Sequence, residues 1–307
     1  MVATHSGPVV LGVDDSSSGR EAVVYAAWEA ERRGLPLRIV HGYLVPTPCL
    51  TPLAPLLNDD HLIALARERL AEIAQVVRAR RPELPLTTAV VRAAGGTALV
   101  KESASASLVI VGSPRHGGFG GSLAGSVAAQ VVADARCPVV VVRRLEGEPA
   151  GLPGHGPVLV GVDETTDSER ALEFGFEEAA ARGVPLVAVH VWSVPEMTGF
   201  SGSGSGAEWS TNPDRAQAQL QEAAERTLAE VIAGWQERYP QVTVRRWTVH
   251  SFGTARVLLD VVREIRADLL VVGSRRRGGF AGLVRGSVGQ VLISHAEAPV
   301  AVIHHVS

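Results

Sequence analysis

Short apolar runs rich in valine and leucine recur along the chain, separated by longer stretches in which apolar positions return every three or four residues. "VVLGV" is followed by "SGREAVVYAAWEAERRG", then by "LRIV", and further on comes "DHLIALARERLAEIAQVVRARRP". The short runs predict strands and the 3.6-residue period predicts helices. Their alternation predicts βαβ units around a parallel sheet. Near-continuous apolar runs such as "SLVIVG" and "DLLVVG" fit strands that helices cover on both faces.

The pattern occurs twice. "VVLGVDDS" from Val9 matches "VLVGVDET" from Val158, which aligns Asp14 with Asp163, and "LRIVHGYLVP" from Leu37 matches "LVAVHVWSVP" from Leu186. His41 and His190 each lie 29 residues beyond the glycine of their opening strand, so both crossovers have one length. "CPVVVVRR" from Cys137 and "APVAVIHH" from Ala298 close the copies, an end-to-end duplication. The predicted units are residues 1–145 and 156–307, with five strands and four helices each, joined through "RLEGEPAGLPGHGP". Gly96 precedes Leu108 by 12 residues whereas Gly253 precedes Leu269 by 16, so the third helix of the first copy should be about one turn shorter. The second copy alone carries the linker-like "MTGFSGSGSGAEWSTNP". The closing strands are too apolar to stand as free edges, so they should pair, within the chain as a pseudo-dimer or between chains as a homodimer. The linker favours the former.

With 307 residues each half can bury its own core. A net charge of −3 and a pI near 6.4 argue against nucleic-acid and membrane-surface partners. No run is long enough to span a bilayer and no leader pattern opens the chain, so the expected compartment is the cytoplasm. Cys49 and Cys137 have no Cys or His at metal-ligand spacing, so no metal site is expected and Cys137 reads as core.

"GSPRHGGFGGSLAGSV", Gly112 to Val127, holds six glycines directly after an apolar run, and "GSRRRGGFAGLVRGSV" repeats the device from Gly273 to Val288. In an open parallel sheet the ligand crevice lies outside the carboxyl ends of the strands, where their order reverses. If the first and fourth strands are neighbours there, Asp14 faces the loop that begins at Gly112. The loop enters a helix near Gly125, whose free N–H groups, with the Ser126 hydroxyl, make an anion site. Phosphate on the loop and ribose hydroxyls on Asp14 predict a nucleotide ligand. Glycine loops also serve as plain turns, and neither a Walker-type loop nor a dinucleotide fingerprint after the first strand is present.

Together the residues resemble the universal stress protein family in its tandem-domain form, over both halves. That family's motif is a glycine, two residues, a glycine, nine residues, then glycine followed by Ser or Thr. Gly112, Gly125 and Ser126 match it in the first copy, and Gly273, Gly286 and Ser287 in the second, but Arg115 and Arg276 replace the middle glycine. The resemblance implies an α/β, Rossmann-like tandem repeat of two doubly wound five-stranded parallel sheets in the order 3-2-1-4-5. It further implies ATP as the cofactor in many members, and pairing through the last strand. The implied contacts are Val13, Asp14, Gly42, Gly112, Arg115, Gly125, Ser126 and Val127, and in the second copy Val162, Asp163, Val191, Gly273, Arg276, Gly286, Ser287 and Val288. The adenine contacts fall at Gly42 and Val191. The arginines either add charge-assisted phosphate contacts or reshape a loop that wants a glycine.

No nucleophile stands beside His41 or His190, so both read as structural, as strand-end histidines that satisfy backbone groups. The Arg275 to Arg277 run falls in the glycine loop and reads as phosphate-facing. No catalytic base is evident near the phosphates, so the leading reading is an ATP-binding regulatory stress protein rather than an enzyme. The alternatives are a slow ATPase or nucleotidyl transferase with Mg2+ on Asp14 or Asp15, and a dimerisation module that binds no nucleotide.

Overall fold

A computed structural model of the chain describes residues 7–14, 19–44, 59–113, 126–143, 154–163, 166–193, 213–274 and 287–304. The first half runs β1 (Val9–Val13), α1 (Arg20–Arg33), β2 (Leu37–Tyr43), α2 (Asp59–Arg80), β3 (Leu86–Arg92), α3 (Gly95–Glu102), β4 (Leu108–Ser113), α4 (Ser126–Asp134) and β5 (Val139–Arg143). The second runs β6 (Val158–Val162), α5 (Thr166–Arg182), β7 (Leu186–Trp192), α6 (Pro213–Arg238), β8 (Val244–His250), α7 (Thr254–Ile265), β9 (Leu269–Ser274), α8 (Ser287–His295) and β10 (Val300–His304). With eight residues against twelve, α3 is one turn shorter than α7, as the spacing predicts.

Strand order is β3-β2-β1-β4-β5 in the first half and mirrors this as β10-β9-β6-β7-β8 in the second. The expected 3-2-1-4-5 order therefore holds twice, and the two sheets continue into one of ten strands. The join is antiparallel, with Val140 opposite Ala301 and Val141 opposite Val300. Its cause is burial: β5 and β10 are apolar on both faces, and each would otherwise leave a row of unpaired backbone groups. Amides of Val139 to Val142 should therefore exchange with solvent as slowly as those of β1. Loop-like exchange would show that the join opens in solution.

Alternation along each strand divides the core into two layers. Leu108 and Ile110 of β4 face the side covered by α1, α2, α5 and α6, while Val109 and Val111 face α3, α4, α7 and α8. Cys137 lies in the second layer, and burial pushes its thiol up to about 12, as a core residue requires. Gly34 and Gly183 end α1 and α5 at φ 64° and 66°, a left-handed turn that glycine adopts without strain.

Besides the strand join, α1 and α5 meet through buried charges. Arg32 reaches Glu29 at 2.6 Å and Glu178 at 2.7 Å, and Arg33 bridges the same two carboxylates at 2.5 and 2.6 Å. Arg182 binds Glu178 at 2.5 Å, donates to the Tyr25 hydroxyl at 3.2 Å and stacks 5.0 Å from the Trp28 ring. Glu29 and Glu178 are only 1% and 3% exposed. At such burial each carboxylate depends on its guanidinium partners.

Candidate functional site

Crevices form where the chain departs to opposite faces. β1 and β4 are neighbours, yet α1 packs on one layer and α4 on the other. Their connections diverge at the carboxyl ends of the strands, the geometry of a ligand site in such sheets. β6 and β9 repeat this arrangement, with α5 and α8 departing to opposite layers.

Val13 ends β1 and Asp14 follows it, exposed at the rim; Val162 and the half-buried Asp163 take these places in the second half. Gly112 lies on β4 opposite Val142, and Gly273 on β9 opposite Ile303. Ser126 and Val127 open α4, while Ser287 and Val288 open α8. Arg115, Gly125, Arg276 and Gly286 lie outside the described residues, as do Asp15 and the Arg275 to Arg277 run.

Gly42 lies on β2 against the turn between β3 and α3. A Cβ there would fall 2.8 Å from both the Ala93 carbonyl oxygen and Gly95 Cα, while a Cβ on Gly95 would meet a Val127 methyl at 3.4 Å. The space above Gly42 is thus filled by backbone, and this turn links the proposed adenine and phosphate ends of the crevice. Val191 stands at the equivalent place, where the turn is built differently: Gly253 N–H donates to Ser251 Oγ at 3.0 Å, whereas Ala93 N–H donates to the Val91 carbonyl at 2.9 Å in the first half. Gly42→Val should therefore destabilise the fold by about 1–3 kcal/mol, the usual range for overpacking. Chemical denaturation measures this, and an unchanged midpoint would show that the turn yields freely.

Buried polar atoms supply a second test of what the crevice suits. Ser113 Oγ at the end of β4 and His41 Nδ1 on β2 are buried without a hydrogen-bond partner among the described residues, the condition that a polar ligand or ordered water relieves. In the second half the matching groups are engaged: His190 Nδ1 donates to the Val162 carbonyl at 3.0 Å, and Ser274 Oγ bonds His304 Nδ1 at 2.9 Å. His190 thereby satisfies a backbone group, as expected of a strand-end histidine, whereas His41 Nδ1, of which the same was expected, does not among the described residues. Ser168 Oγ accepts from the Asp163 N–H at 2.9 Å and fixes the exit from β6. These donors and acceptors, with the rim carboxylate and the helix start at Ser126, fit a ligand that carries hydroxyl and phosphate groups.

Sequence reasoning missed the wall beyond Val191. Trp192 packs 4.5 Å from His250, which lies 6.0 Å from Phe252, and the indole N–H donates to Gln221 Oε1 at 3.1 Å. In the first half Tyr43 takes the place of Trp192, and Arg92 at the end of β3 pairs with Asp59 at 3.1 Å. Aromatic residues at the ends of successive strands were the available signal. Among the described residues, no group of three or more His, Cys, Asp or Glu could hold a metal ion, and no helix is long and apolar enough to cross a membrane.

Comparison with known proteins agrees with the geometry. The model of the universal stress protein family matches residues 6–143 and again 155–304. The chain is 39% identical over 300 residues to universal stress protein Rv2623 of Mycobacterium tuberculosis, covering 96% of this chain and 95% of that protein. It is 35% identical over 301 residues to universal stress protein Mb2028c of Mycobacterium bovis, covering 96% of each. Among solved structures, a universal stress protein from Archaeoglobus fulgidus superposes with a TM-score of 0.69 at 22% identity, over 98% of this chain and 97% of that one.

Proposed function

Because the chain belongs to the universal stress protein family, with one family domain in each half, we propose that it is an ATP-binding regulatory protein with a nucleotide crevice in each half. The units of this reading are residues 1–145 and 156–307, and its compartment is the cytoplasm. The observation that carries it is the divergence of the β1 and β4 connections to opposite faces beside Asp14, repeated at β6, β9 and Asp163.

Each group has a role that its chemistry supports. Asp14 and Asp163 accept hydrogen bonds from ribose hydroxyls. N–H groups at the starts of α4 and α8, with Ser126 and Ser287, hold phosphate oxygens, and Arg115 and Arg276 add charge from the loops. Val13, Val162 and Val191 offer apolar surface to the base. Because the halves share one sheet, occupancy in either half can bias their common shape and hence the surface offered to a partner or a second copy.

The deciding experiment is acid extraction of freshly purified protein followed by chromatography. Adenine nucleotide in a stoichiometric amount is the expected result, and nucleotide-free protein that fails to bind added ATP in calorimetry would refute the reading. Phosphate release with and without magnesium then separates a binding module from an enzyme. Release no faster than in the protein-free control is expected.

A further inference from the structure

The repeats share one frame but fill it differently between their outer helices. The glycine turns at 34 and 183 bring α1 and α5 into register, and the pairing of Leu37 with Leu86 and of Leu186 with Val244 does the same for α2 and α6. Ala27 therefore corresponds to Phe176, Val77 to Trp235, Arg81 to Tyr239, Val24 to Glu173 and Arg80 to Arg238.

In the second half these positions make a closed group. Phe176 stacks on Trp235 and Tyr239 with ring centroids 6.0 and 5.7 Å apart. The Arg238 guanidinium lies 5.4 Å from the Trp235 ring centroid and 3.8 Å from the Glu173 carboxylate. One cation is thus satisfied by a ring and a carboxylate together.

The first half keeps the cation and lacks both partners. Between α1 and α2 it holds a cavity of about 250 Å³ lined by Val24, Ala27, Val76 and Val77, with Arg80 and Arg81. Arg81 is bound to Glu31, whereas Arg80 is exposed and makes no ion pair among the described residues. Relative to the second half, the first lacks the rings of Phe176, Trp235 and Tyr239 and the carboxylate of Glu173, beside an apolar space and an arginine.

We propose that this cavity binds a small aryl carboxylate. Its ring takes the place filled by Phe176 and Trp235 in the sister repeat, and its carboxylate pairs with Arg80 as Glu173 does with Arg238. The volume lies below the roughly 300–1,000 Å³ of sites for larger ligands, so it suits a compound of one or two rings. None of the lining residues belongs to the nucleotide crevices, so this site stands or falls independently of them.

The test titrates the full chain, with labelled valine methyls, against indole-3-propionate and separately against the uncharged 3-propylindole. Saturable shifts of Val24, Val76 and Val77 are expected, with the acid binding about two- to fivefold tighter than the neutral ring. Arg80→Gln should erase that preference and leave the neutral ring's affinity unchanged. Ala27→Phe, which places the sister repeat's ring in the cavity, should abolish binding of both. The proposal is overturned if these methyls do not respond to millimolar acid, if the shifts centre on Val13 and Val127 instead, or if Ala27→Phe binds the acid normally. Should Ala27→Phe not fold, Arg80→Gln decides alone, and an unchanged ratio of acid to neutral affinity sinks the idea.

Discussion

Glu178→Ala should destabilise the folded chain by about 3–5 kcal/mol, the range for removing one member of a buried ion group. Glu178 accepts from Arg32, Arg33 and Arg182 at 2.5–2.9 Å. Without it, three guanidiniums crowd around the buried Glu29, that of Arg182 itself buried and those of Arg32 and Arg33 only partly open to solvent. The loss therefore reflects stranded charge more than a lost attraction. Replacing the charged residues together with apolar ones of similar volume should cost far less, because no charge is stranded. Chemical denaturation of both variants separates the two contributions. A loss under about 1 kcal/mol for Glu178→Ala would mean that the α1–α5 contact opens enough to admit water.

The same group sets a pH dependence whose sign follows from burial and charge. Burial pushes the Glu178 carboxyl up, but Arg33, Arg182 and Arg32 outweigh it and hold the group below the usual carboxylate range. A lowered folded-state pKa gives stability that is present above the ordinary carboxylate pKa and lost as pH falls through the folded value. Tyr25 contributes at the other limit. Burial raises its phenol above the ordinary value against the pull of Arg182, so its share is whole below the ordinary phenol pKa and lost as pH rises beyond it.

These charges also mark where the sequence stops being legible. The strands could be read because short, near-continuous apolar runs are a local signal, and the paired closing strands because the duplication repeats them, while the strand order came only with the family resemblance. The α1–α5 cluster could not. Glu29, Arg32 and Arg33 sit together near the end of an amphipathic helix, where charges ordinarily face water, and only the docking of α5 buries them. The duplication did hold a trace, since Glu29 and Arg33 recur as Glu178 and Arg182, but the trace has meaning only once the two-fold join is known. Gly42 is similar. Its need for a missing side chain comes from the backbone of residues 93–95, brought close by the pairing of β2 with β3 and the short α3. The cavity above Ala27 is likewise a difference between two packings that neither stretch of sequence shows by itself.

Under the nucleotide reading, Asp163→Ala should weaken the tighter of two ATP sites, and Asp14→Ala the looser one, each by roughly tenfold to a hundredfold. That range corresponds to about 1.5–3 kcal/mol for hydrogen bonds to a charged acceptor. The assignment of the tighter site to the second half rests on its walls. Val191 has a side chain to lay against a base where Gly42 has none, and Trp192, His250 and Phe252 continue an aromatic surface at the ends of β7 and β8. The first half instead offers an Arg92–Asp59 ion pair at 3.1 Å, whose groups lose hydration when a ring covers them. In the loops, Arg275 brings a donor and a charge where Pro114 has no N–H. The opposing effect lies in the floor: among the described residues Ser113 Oγ and His41 Nδ1 have no hydrogen-bond partner, while their counterparts are already bonded, so a ligand there gains contacts that the second half cannot give. Apolar wall and loop charge act on base and phosphates together, whereas the floor offers only one hydroxyl and one ring nitrogen, so the second half should still bind more tightly. Calorimetric titration of the two single variants decides. If Asp14→Ala erases the high-affinity phase and Asp163→Ala leaves it intact, the floor outweighs the wall and the order of the two sites is reversed.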